Sequence, residues 1–152
     1  MIRMVTRRDA LQLSVGMAAA LSYNGARAHE FFSTSLTVHH PWTRASAEGA
    51  STAIVSMVFD DVVRTDTLIG AESPVCEGVE LGGVGTRPDA RLGFEFLIPE
   101  GQKTELTEGG TYLRLSGLKF PLQLGREYPM TLIFAKSGPL KAALLIDFPP
   151  LA

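Results

Sequence analysis

Three histidines, His29, His39 and His40, crowd into twelve residues, and the 152-residue chain has no others. Imidazole is a frequent ligand for copper and zinc, so the first chemistry this spacing raises is metal binding. If a leader ends at Ala28, the chain starts with His29, whose free α-amine and imidazole can chelate a metal together. One further imidazole, from His39 or His40, completes three nitrogens, a donor set suited to Cu(II). Successive strand residues point to opposite faces, so only one of the pair can serve. His40 shares its side with Trp42, which reads as core-facing, so in a regular strand His39 is the expected ligand. Such a site weakens below the α-amine pKa of about 8, because protons compete with the metal. The structural alternative makes His29 a frayed terminus and His40 a packing residue ahead of Pro41.

The remaining candidate donors point to structure. Met57 and Met130 sit in apolar alternation and read as core filler. Cys76, the single cysteine, follows Pro74-Val75 with no second thiol or adjacent histidine, so it reads as inert and forms no internal disulfide. Asp60 and Asp61 are adjacent rather than facing, which suits a solvated turn better than acid–base work. With no nucleophile elbow and every histidine before residue 41, no catalytic triad is recognisable, and the expectation is a binding protein rather than an enzyme.

What must position these residues begins with export. Arg3, Arg7 and Arg8 precede a mild apolar run from Leu11 to Leu21, which ends at Ala26-Arg27-Ala28, the layout of a cleaved signal peptide. Thr6-Arg7-Arg8-Asp9-Ala10-Leu11 reads as a twin-arginine signal, although Ala10 stands where an aromatic is common. The division expected is therefore a leader over 1–28 and one domain over 29–152, with no integral membrane segment after cleavage and a periplasmic location. No cysteine near the cut offers a lipid-anchor site. The leader carries four arginines and one aspartate, so the formal charge moves from −2 to −5 on its removal, no footprint for nucleic acid or anionic lipid.

Within 29–152, period-two alternation dominates. Ala53, Val55, Met57 and Phe59 share one face, as do Leu92, Phe94, Phe96 and Ile98. Met130, Leu132 and Phe134 share another, then Leu140, Ala142, Leu144, Ile146 and Phe148. Breakers such as Gly82-Gly83, Pro99-Glu100-Gly101, Gly109-Gly110 and Ser137-Gly138-Pro139 separate these runs, and residues 82–90 read as a mobile loop. Short strands between glycine and proline turns predict an all-β antiparallel sandwich or Greek-key barrel.

Leu36-Thr37-Val38-His39-His40-Pro41-Trp42-Thr43-Arg44, then Ala53–Phe59, Asp66–Pro74, Val79-Glu80-Leu81, Gly109–Leu118 and Tyr128–Phe134, occur in an order that resembles the PCu(A)C family of periplasmic copper chaperones. The resemblance implies a cupredoxin-like Greek-key sandwich that binds Cu(I) and hands it to a copper-accepting or respiratory-oxidase assembly protein. It also implies a histidine after the Glu-Leu pair, a methionine on the next hairpin and a later His-x-Met pair. Here those positions hold Gly82 and then Tyr112 and Arg114, and no methionine occurs between Met57 and Met130. A guanidinium keeps its proton and repels copper. Tyr112 and Arg114 are expected to form a polar patch with Glu80 or Glu95. Two functions follow as expectations: a copper-chaperone-like protein with its family site degenerate and its metal moved to His29, His39 or His40, or a metal-free sandwich that docks a partner through the altered face.

Overall fold

Alternating apolar residues become strands with one dry face. In the computed structural model, which describes residues 29–84 and 94–149, Val55, Met57 and Phe59 are buried, as are Met130, Leu132 and Phe134, and Leu144 and Ile146. The described residues form ten strands: β1 Glu30–Phe32, β2 Thr37–Thr43, β3 Thr52–Asp60, β4 Asp66–Glu72, β5 Gly78–Gly83, β6 Phe96–Ile98, β7 Thr104–Leu106, β8 Thr111–Ser116, β9 Glu127–Phe134 and β10 Gly138–Ile146. They join in the order β5-β8-β3-β2-β10-β9-β4-β6, with β1 added to β2 and β7 to β3. The result is a nearly closed all-β barrel-like sheet, as expected.

One pair departs from the antiparallel expectation: β10 runs parallel to β2, with Leu145 opposite Trp42 and Ile146 opposite Thr43. β3 holds the two halves together. Thr52 to Val55 pair with β8, Met57 to Phe59 pair with β7, and the other edge of the strand pairs with β2. The core they enclose centres on Phe59, whose ring lies 6.3 Å from Phe134 at 89° and 5.8 Å from Phe96. Burying each such side chain contributes about 1.5–3 kcal/mol, which has to replace the cross-links that a single buried cysteine cannot supply.

Three expectations are corrected or fall elsewhere. Phe148 is 69% exposed, because β10 ends at Ile146, where the Asp147 N–H bonds the Thr43 carbonyl as the closing bond of the β10–β2 ladder, and Phe148 lies beyond it. Gly82 and Gly83, placed in a loop by composition, close β5 opposite Tyr112 and Thr111. The leader, Leu92 and residues 85–90 of the expected loop lie outside the described residues.

Candidate functional site

β1 and β2 bring the histidines together, but not as a regular strand would. Between His39 and Trp42 β2 advances three residues while β3 advances two, from Val58 to Ser56, so β2 carries one extra residue. His40 takes up the irregularity with φ of 48°, a left-handed conformation that histidine enters more readily than most residues. Its N–H donates to the His29 carbonyl at 2.7 Å, which ties His29 down rather than leaving it frayed.

The bulge changes which imidazole is available. His39, the ligand expected of a regular strand, lies opposite Glu30, with Nδ1 3.4 Å from its carboxylate. His40 instead stands beside His29, with ring centroids 5.4 Å apart at 83°. His29 Nδ1 is 3.5 Å from Glu127 and His40 Nε2 is 3.6 Å from Asp147, so each ring also faces a carboxylate. Burial lowers the His40 pKa, His29 pushes the same way and Asp147 opposes both, which favours the neutral imidazole that metals bind. Among the described residues no three His, Cys, Asp or Glu side chains form a ready metal cluster. Glu127 and Asp147 escaped sequence reading because only the β9–β10–β2 register, with Leu145 opposite both Glu127 and Trp42, carries them to this corner.

The second constellation lies on β5 and β8. Gly82 pairs with Tyr112 and Glu80 with Arg114, so positions 80, 82, 112 and 114 share a face, while Leu113 and Leu115 point into the core. The Tyr112 ring lies on Gly82: a Cβ there would sit 2.7 Å from Tyr112 Cε2 and 3.4 Å from Arg114 Nη2. Arg114 Nη2 donates to the Tyr112 hydroxyl at 3.1 Å, and its guanidinium carbon is 5.7 Å from the ring centroid. Of the two expected carboxylates Glu80 faces Arg114, at a loose 3.9 Å between exposed groups. An exposed pair of that length adds at most about 1 kcal/mol, so the ring on the glycine defines the arrangement.

Beside this face, Ile54 lies opposite Arg114 and lines a cavity of about 440 Å³ shared with Thr43, Arg44, Ser46 and Glu108. Arg44 closes its rim with a bidentate pair to Glu108, at 2.7 and 2.9 Å, and that hydrogen bonding holds the Glu108 carboxyl below its ordinary pKa. Cys76 is buried and burial raises its thiol pKa, which leaves it protonated and unreactive, while Met57 and Met130 fill the core.

The family described as "Putative lipoprotein LpqE-like" matches residues 36–146, nearly the whole described fold. The chain belongs to this family. A relative, "Putative lipoprotein Lxx21020" of Leifsonia xyli subsp. xyli, is 32% identical over 122 residues, covering 73% of this chain and 69% of its own length. Solved structures extend the likeness to PCuAC domains, and the chain is a PCuAC-type member. The apo PCuAC domain from PmoF1 superposes with a TM-score of 0.69 at 30% identity, covering 80% of this chain and 100% of that one. The copper-bound PCuAC domain from PmoF2 gives 0.69 at 24%, covering 80% and 99%. The Cu(I) form of DR1885 from Deinococcus radiodurans gives 0.61 at 20%, covering 80% and 83%. The last two likenesses concern the fold alone.

Proposed function

We propose that this chain is an exported periplasmic protein of copper-chaperone type whose leader, residues 1–28, is removed. Its Cu(I) face has been closed, and its metal is taken at the N-terminal histidines. The observation that carries the reading is the Tyr112 ring lying on Gly82. The positions to which the resemblance assigns a histidine and a His-x-Met pair do meet on one face, but they offer a phenol, a guanidinium and no side chain at all. Cu(I) is selected by thioether, thiolate and imidazole, none of which this face presents. On this reading the protein binds and passes on its metal, as the likeness to copper-chaperone domains implies, rather than transforming a substrate.

Cu(I) competition on the exported protein tests this. Added Cu(I) is expected to leave the NMR signals of Tyr112 and Arg114 in place, and added Cu(II) is expected to broaden those of the histidines. Cu(I) captured at Gly82 and Tyr112 would sink the reading. A second reading, a metal-free module that docks a partner, draws support from the cavity edged by Ile54 and the Arg44–Glu108 pair next to Arg114. It predicts no copper retained after dialysis.

A further inference from the structure

We propose that cutting the chain between Ala28 and His29 creates a Cu(II) site from the α-amine and imidazole of His29 with the imidazole of His40, a site that the uncut chain lacks and in which His39 takes no part. This deepens the reading that metal binding has moved to the N-terminal histidines, and rests on it.

The argument starts from distance. A metal about 2.0 Å from an imidazole nitrogen lies about 3.1 Å from the ring centroid, so two imidazoles on one ion hold centroids between about 4.4 Å, when cis, and about 6.3 Å, when trans. His29 and His40 stand at 5.4 Å, inside that interval, and their side chains are 37% and 42% exposed. The hydrogen bond from the His40 N–H to the His29 carbonyl fixes the two backbones relative to each other, so little chain entropy is lost on closing the site. The contacts that the ring nitrogens make now, 3.5 Å to Glu127 and 3.6 Å to Asp147, are longer than hydrogen bonds and yield to a side-chain rotation.

The third donor is not a side chain. In the uncut chain the His29 nitrogen is a peptide amide, whose lone pair is delocalised into the carbonyl. Hydrolysis by a signal peptidase adds water across that bond. It leaves a carboxylate on Ala28 and an ammonium on His29, which gives up one proton when it binds the metal. The amine and Nδ1 of His29 then close a six-membered chelate ring, and His40 adds the third nitrogen.

Nitrogen donors beside two carboxylates favour a divalent ion over Cu(I), and Cu(II) outranks Zn(II) on such ligands. Glu127 and Asp147 supply the balancing charge. His39 is excluded because the regular β1–β2 register sets it opposite Glu30, one position away from the His29–His40 pair.

The test uses exported protein with His29 verified as its first residue, titrated with Cu(II) and followed by calorimetry and electron paramagnetic resonance. One equivalent is expected, with hyperfine structure from nitrogen donors. Acetylating the His29 α-amine, which delocalises its lone pair, or making His40→Asn, which tolerates the left-handed backbone, should each weaken binding at least tenfold. His39→Ala should stay within twofold of the parent. Stoichiometric Cu(II) binding that ignores acetylation of the His29 amine, or that is lost with His39 rather than His40, overturns this inference and leaves the histidine reading standing. Failure of the parent to bind one equivalent overturns both.

Discussion

At the scale of single residues, absence of a side chain at position 82 lets the Tyr112 ring lie against the β5 backbone. A double-mutant cycle isolates that contact. Gly82→Ala should cost about 1–2 kcal/mol more with Tyr112 present than in a Tyr112→Ala background, measured by urea unfolding, because the new methyl and the ring compete for one volume. Equal costs in the two backgrounds would mean the ring swings away freely and closes nothing. His40 gives a second prediction at this scale. A β-branched residue is poorly tolerated at φ of 48°, so His40→Val should lose about 1–2 kcal/mol in the same assay while His40→Gly loses none. Residue types alone carried part of this: Gly82, Tyr112 and Arg114 were readable as unfit for Cu(I). That the ring occupies the vacant space required the register of β5 on β8.

At the scale of elements, the β9–β10 turn depends on a residue that alternation did not mark. Asp66, 1% exposed at the start of β4, accepts backbone N–H groups from Thr67 at 2.8 Å, Lys136 at 2.9 Å and Ser137 at 3.0 Å, together with the Ser137 hydroxyl. Burial raises its pKa, but those four donors outweigh burial and hold it below the ordinary carboxylate value. A depressed folded pKa means the carboxylate stabilises the fold fully above its unfolded pKa of about 3.9, and that this contribution is lost as pH falls through the lower folded value. Asp66→Asn should therefore cost about 2–3 kcal/mol at pH 7 and flatten the acid limb of the stability profile below about pH 4, followed by circular dichroism. An acid limb identical to the parent's would show that other carboxylates set it. The strand interiors around this turn were legible because period-two burial is local. The Asp66 staple and the His39–Trp42 bulge were not, since each depends on partners 70 residues away or on one extra residue that reverses a facing assignment.

At the scale of the whole molecule, the fold and the ligand set have separated. The order of strand motifs was enough to indicate an all-β sandwich, and the sheet closes as expected although β2 and β10 run parallel. Nothing local in the sequence announced that parallel pair, because it joins the two ends of the domain. Yet the pair carries Asp147 to His40, so it forms the corner where the histidines meet. The scaffold on the opposite arm of the sheet still brings positions 82, 112 and 114 onto one face. If only side chains were exchanged, restoring them should restore the chemistry. Gly82→His, Tyr112→His and Arg114→Met made together remove the ring that blocks position 82 and the cation that repels the metal, leaving three soft donors on a face already in register. Cu(I) affinity should rise at least 100-fold over the parent, about 2.7 kcal/mol, read by competition with a chromogenic cuprous chelator. Gly82→His alone should gain nothing, because its imidazole meets the Tyr112 ring. A triple variant no better than the parent would place the cause of closure in the backbone rather than in these three side chains.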